Sequence, residues 1–169
     1  MIKRAIVVFL FLGAAATASA AGLGGLKGIT AGIGQKVGKS TTSAAMGALT
    51  KKLKKVQNEY GPIRFVTGKA KVDPACDVTM QHVASIINEY PGFKVQVDGH
   101  TDNVGRPEAN LKLSQARAEA VVKYLVQKKR VPGKRLAAKG WGDKQPIANN
   151  GTAAGRAKNR RVDFTVTQL

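Results

Sequence analysis

Three residues, Asp102, Asn110 and Arg117, combine a carboxylate, an amide and a guanidinium at a spacing that can bind a charged ligand. Asp102 follows an alternating apolar run that reads as a strand. Asn110 stands at the start of the next helical pattern, in a position to act as its N-cap. Arg117 lies seven residues further on, two helical turns away, so Asn110, Ser114 and Arg117 share one helix face. A carboxylate fixed beside a guanidinium suits a zwitterion. The carboxylate takes an ammonium, and the guanidinium grips a carboxylate through two parallel hydrogen bonds. A helix N-terminus nearby favours the ligand's negative end. The same spacing suits a direct Asp102–Arg117 ion pair equally well.

Other reactive residues make a weaker case. His100 and Asp102 form a His-X-Asp triplet, but His100 reads as a hydrogen-bonded structural residue at a strand end. No Ser/His/Asp trio has a recognisable spacing, and no glycine-rich phosphate loop joins a strand to a helix. The chain therefore reads as non-enzymatic and without a cofactor. His82 and His100 are the only histidines and Cys76 the only cysteine. That supply builds neither an intrachain disulfide nor a cysteine-rich metal site, and no metal ligands are assigned. Cys76 is a free thiol or a link to another chain.

The elements that would position these residues can be read from periodicity. Ile63 to Val66 alternates as a short strand after Gly61-Pro62, and Gly68 permits a turn. Asp73-Pro74 is a helix start, and Met80, Val83, Ile86 and Ile87 carry the helix to about Glu89. Pro91-Gly92 breaks it. Phe93, Val95 and Val97 form a second strand that ends at Gly99-His100-Thr101-Asp102. Leu113, Ala116, Ala120, Val121, Tyr124 and Leu125 define a strong helix closed by Pro132-Gly133. Leu136 to Trp141 reads as a third strand, residues 142–155 as turns, and Val162, Phe164 and Val166 as a last strand. The order is β-α-β-α-β-β, an α+β sandwich with helices packed on one face of a mixed sheet.

At 169 residues the chain holds one ordinary domain plus additional sequence. With 28 Lys+Arg against 10 Asp+Glu, its net charge of +18 favours an anionic partner. Residues 1–20, MIKRAIVVFLFLGAAATASA, join Lys3 and Arg4 to an apolar stretch and an Ala18-Ser19-Ala20 end, the pattern of a signal peptide cut after Ala20. The competing reading is an uncleaved anchor, since no charge falls between Arg4 and Lys27. Its Ala/Gly-rich second half argues for cleavage. Export makes nucleic acid an unsuitable partner, and charge is all that speaks for it. Residues 21–61 form a Gly/Lys-rich segment with apolar residues at helical spacing. Its glycines make the first run marginal as a helix and leave the second, from Met46 to Val56, firmer. This segment reads as a tether whose last helix packs on the domain. Its residues 21–59 also offer a surface for anionic lipid or an envelope protein. A cationic structural protein bound to lipid in this way is the alternative function.

Residues 62–169 carry an ordered series of motifs. Gly99-His100-Thr101-Asp102-Asn103-Val104-Gly105 is followed by Asn110, Leu113, Ser114, Arg117 and Ala118. Then come Arg135-Leu136, Gly140-Trp141-Gly142, Pro146, Asn150-Gly151-Thr152, Gly155-Arg156 and Asn159-Arg160-Arg161-Val162. The series closely resembles the OmpA-like C-terminal domain, the peptidoglycan-binding module also found in Pal lipoproteins and MotB proteins. The resemblance implies noncovalent binding of peptidoglycan through the diaminopimelate of its stem peptide, in the periplasm and associated with the outer membrane. It implies that Asp102 and Arg117 hold the amine and carboxylate of that residue, and that Asn110 and Arg160 line the same pocket. It implies backbone contributions from Thr67 and Gly68, and structural roles for Asn159 and Arg161. One departure is Val66, where many members carry Asp.

Overall fold

A computed structural model describes residues 30–66 and 69–169 of the chain, with side chains from residue 41 onward. The proposed signal peptide, the start of the Gly/Lys-rich segment, and Thr67 with Gly68 lie outside the described residues. Among the described residues four helices and three strands follow one another: α1 (Thr30–Tyr60), α2 (Asp77–Glu89), β1 (Phe93–His100), α3 (Pro107–Lys129), β2 (Leu136–Gly142), α4 (Ala153–Asn159) and β3 (Val162–Gln168). The strands lie in the order β2-β1-β3, with β1 parallel to β2 and antiparallel to β3. The fold is α+β with helices on a mixed sheet, as the sequence predicts.

The predicted first strand is the main departure. Residues 63–66 do not join the sheet. Phe65 forms an isolated antiparallel bridge with Val72, and the Val66 N–H donates to the Lys71 carbonyl at 2.9 Å. Four alternating residues have enough period to suggest a strand. A strand also needs a neighbour along its length, and here the chain turns back within a few residues to pair with itself. After the turn, Asp73 caps a short 3-10 turn, Pro74–Cys76, by accepting the Ala75 N–H, and α2 follows directly.

The core sits between β1 and the helices. Val95 and Val97 share one buried cluster with Met80, Val83 and Ile87 of α2 and Ala118, Val121 and Leu125 of α3, all fully buried or nearly so. Leu49, Leu53 and Val56 of α1 belong to the same core, packed near α2 and β3. The core therefore crosses the compositional boundary at residues 61/62. This packing also explains why α1 runs unbroken from Thr30 to Tyr60 despite its glycines. Once its C-terminal half is fixed, each added residue extends an existing helix and no new nucleus is needed. Cys76 is a buried free thiol, accepting the Arg64 N–H at 3.1 Å, which leaves it poorly placed to link to another chain.

Two glycines set the distance between α3 and the sheet. A Cβ on Gly99 would lie 2.3 Å from the Ser114 carbonyl oxygen, and one on Gly140 would lie 2.4 Å from the Gln115 backbone nitrogen. Only glycine lets helix backbone touch strand backbone here. The contact is locked by two bonds from β2: Gly140 N–H to Gln115 Oε1 at 2.7 Å, and Gly142 N–H to Ser114 Oγ at 2.9 Å. Arg135 is also buried, donating to the carbonyls of Ile87 at 2.7 Å and Phe93 at 3.1 Å, which ties the end of α2 to the start of β1.

Candidate functional site

The site residues converge where β1 ends and α3 begins. The Thr101 N–H donates to the Gly142 carbonyl at 2.9 Å, which carries the chain past the sheet edge and places Asp102 in the following loop. Asp102 is largely buried. Its Oδ1 accepts the Val104 N–H at 3.2 Å, and its Oδ2 accepts from Arg160 Nη1 at 2.6 Å.

Helix α3 begins earlier than expected. Pro107 takes the first helical position, where its missing N–H costs nothing, and Arg106 is the N-cap. Asn110 is therefore inside the first turn and is not the cap. Its buried amide reaches back instead, donating to the carbonyls of Asp102 and Val104 at 3.2 Å each. Asn110 thus pins the loop that carries the carboxylate. Ser114, one turn on, supplies one of the two bonds that lock α3 to β2.

Arg117 follows on the same face but does not pair with Asp102. Asp102 takes Arg160 as its ion partner, and the guanidinium of Arg117 lies over the ring of Phe65, 5.1 Å from the centroid. Its Nε is buried without a hydrogen-bond partner. Burial lowers the Arg117 pKa most, the charge of Arg160 lowers it further, and Asp102 partly offsets both. Arg117 remains a cation, since guanidinium stays protonated in proteins. Two guanidiniums thus interact with one carboxylate, leaving an excess positive charge in a partly desolvated site. Asp102 retains acceptor capacity, because a carboxylate has about four lone-pair positions and two are in use.

The sequence reading brought Asp102, Asn110, Arg117 and Arg160 to one place, and the structure joins them there. Thr67 and Gly68 lie outside the described residues. Phe65 reads from the sequence as a strand residue, and its alternation with Ile63 carries no sign of a ring beneath an arginine. Asn159 and Arg161 brace the fold. Asn159 is fully buried and accepts the N–H groups of Ile147 and Ala148 at 2.8 and 3.0 Å, and Arg161 donates to Asp163 at 2.8 Å. Arg160 stands between them, at the end of α4. That short helix overlaps only the end of the 142–155 stretch that reads as turns, and its remaining residues carry no predicted element, although Thr152 is a recognisable cap, accepting the Gly155 N–H at 3.0 Å. Among the described residues no cluster of His, Cys, Asp and Glu can hold a metal ion, and no helix is long and apolar enough to cross a membrane.

Comparison with known proteins places this geometry in a family. The chain is 41% identical over 104 residues to "Outer membrane porin F" of Pseudomonas aeruginosa, covering 62% of this chain and 30% of that protein. It is 42% identical over 106 residues to "Peptidoglycan-binding protein ArfA" of Mycobacterium tuberculosis, covering 63% of this chain and 32% of that one. The chain thus spans about a third of the length of these curated relatives. Among solved structures, the peptidoglycan-associated lipoprotein from Burkholderia pseudomallei matches with a TM-score of 0.56 at 27% identity, covering 66% of this chain and 99% of that one. The model of the OmpA family matches residues 64–160, which include Asp102, Asn110, Arg117 and Arg160. With more than half of the chain inside that match, this protein belongs to the OmpA family.

Proposed function

We propose that this protein binds peptidoglycan noncovalently in the periplasm, taking the diaminopimelate of the stem peptide between Asp102 and Arg117, and so helps to organise the cell envelope. The observation that carries the proposal is the grouping of one carboxylate with two guanidiniums, one of which keeps a buried, unpartnered Nε. Diaminopimelate presents an ammonium and a carboxylate on one carbon. The ammonium fits the acceptor capacity left on Asp102. The carboxylate fits Arg117, with Arg160 adding positive charge and holding Asp102 in place. Asn110 acts one step back by fixing the Asp102 loop. The ArfA and Burkholderia relatives are named for the same polymer. The role is binding and involves no catalysis.

Location follows from the same reading. Residues 1–20 act as a signal peptide, residues 21–61 as a tether whose last helix packs into the core of the domain, and residues 62–169 carry the wall-binding site. Intact mass of the exported protein should begin at Ala21.

Cosedimentation with purified sacculi tests the function. Lysine at the third stem position has the side-chain ammonium but no side-chain carboxylate. Sacculi of the diaminopimelate type should therefore carry the protein down, and sacculi of the lysine type should not. Equal sedimentation with both would remove diaminopimelate as the recognised residue. Sedimentation with neither would remove the function.

A further inference from the structure

Among the described residues Arg117 has no hydrogen-bond or ion-pair partner, and its Nε is buried. What it does touch is a ring: the guanidinium lies over Phe65, 5.1 Å from the centroid. Arg160, the second guanidinium of the site, repels it. A long, flexible cation under that repulsion would gain entropy and hydration by turning out into water. Something must hold it where it is.

Phe65 is itself well fixed. It sits on a hairpin outside the sheet, bridged to Val72. The Val66 N–H donates to the Lys71 carbonyl and the Asp73 N–H to the Arg64 carbonyl, each at 2.9 Å. The Arg64 N–H donates to Cys76 Sγ at 3.1 Å, which ties the hairpin to the turn before α2. Ile63 and Val72, one on each arm, are buried in the core. The ring is thus carried by a part of the chain whose place is set by its own hydrogen bonds and by the core.

We propose that Phe65 is a positioning residue of the site: its ring is the platform that holds the Arg117 guanidinium, against Arg160, in the orientation that receives the ligand's carboxylate. The inference rests on the zwitterion reading of the Asp102–Arg117 site. A planar guanidinium can rest on an aromatic face while its N–H groups stay free to donate. A carboxylate or carbonyl in the place of Phe65 would hold the arginine by using up those donors. The ring holds it and leaves the fork open, so less freedom is lost when the ligand binds. An aliphatic side chain of similar size would fill the space without attracting the cation.

Calorimetric titration of the full chain with a diaminopimelate-containing stem peptide tests it, alongside the rate at which the Arg117 Nε–H exchanges with water. Phe65→Leu and Phe65→Met remove the ring and keep an apolar side chain of similar size. Each should bind about tenfold more weakly, one cation–π contact in a partly desolvated site being lost. Each should also speed the Nε–H exchange, since the side chain is no longer held down. Phe65→Tyr keeps the ring and should restore both affinity and slow exchange. Ile63→Val, on the same hairpin, should lower the thermal midpoint and leave affinity and exchange unchanged. Wild-type affinity in Phe65→Leu overturns the proposal, and the site reading survives if Arg117→Ala still abolishes binding. Weaker binding with unchanged Nε–H exchange also overturns it, because Phe65 then acts other than through Arg117. Equal losses in Phe65→Leu and Phe65→Tyr, or in Phe65→Leu and Ile63→Val, overturn it in favour of a structural role, as does failure of both ring-less variants to fold. If Arg117→Ala binds the peptide like the wild type, the zwitterion site falls and the platform with it.

Discussion

Arg117 and Arg160 carry the same charge but have different tasks. Arg160 is tied to Asp102 at 2.6 Å and is half exposed, and Arg117 rests on Phe65 with its Nε unpartnered. Replacing Arg117 by Ala should remove the ligand's carboxylate partner and cost about 2–5 kcal/mol of affinity, about thirtyfold or more in Kd. Arg117→Lys should rescue little, because an ammonium offers no planar fork. Both changes should shift the thermal midpoint little: Arg117→Ala loses the contact over Phe65 but also removes a buried Nε that has no partner. His100 makes a separate prediction. Its side chain is buried and its Nδ1 has no partner. Burial lowers its pKa, Arg161 lowers it further, and Asp163 and Asp98 oppose them. The folded protein thus binds this proton more weakly than the unfolded chain. Stability is intact above the unfolded value of 6.5 and is lost as the pH falls below it. Urea midpoints at pH 7.5 and 5.0 should fall further for the wild type than for His100→Asn. Type and spacing group Asp102, Asn110 and Arg117, although not Asn110's place inside the helix, and only the family resemblance adds Arg160. The choice of Arg160 over Arg117 as partner for Asp102 is not legible in the sequence, because it depends on where α4 ends relative to the loop after β1. The two are 58 residues apart in sequence.

At the scale of elements, α3 is the part that matters most, because it holds Asn110 and Arg117 against the end of β1. Its seat depends on backbone contact at Gly99 and Gly140. Gly140→Ala should force α3 and β2 apart and destabilise the fold by about 1–3 kcal/mol in chemical denaturation. Ligand affinity should drop along with it, since the helix carries the site. Gly47 is the opposite case. It lies on the exposed face of α1 with nothing within 4 Å of its added Cβ, so Gly47→Ala should raise stability by up to about 1 kcal/mol. Helix α1 is otherwise part of the domain core. Leu53 is 1% exposed, and Leu53→Ala should cost about 2–5 kcal/mol, which a helix acting only as a tether would not show. The strands β1, β2 and β3 and the helices α2 and α3 were legible because each carries a full apolar period between turn residues. The 63–66 strand failed for want of a partner, and α4, at seven residues, is too short for helical periodicity to reveal.

Across the whole molecule, charge and site make separable contributions. The net charge of +18 draws the protein towards any anionic surface, and that attraction is screened beyond about 8 Å at physiological salt. A partly desolvated contact at Asp102 and Arg117 is screened much less. Lys51, Lys52, Lys54 and Lys55 sit on α1, away from the site, and two of them are engaged in exposed pairs, Lys52 with Glu89 and Lys55 with Glu59. Isothermal titration of the full chain with a diaminopimelate-containing stem peptide at physiological salt separates the two contributions most directly. Asp102→Ala and Arg117→Ala should abolish the binding heat, and the variant lacking all four lysines should bind like the wild type, with a shallower salt dependence. Loss of binding in the lysine variant, with binding kept in Arg117→Ala, would contradict the account and replace the site with a charge-driven surface contact.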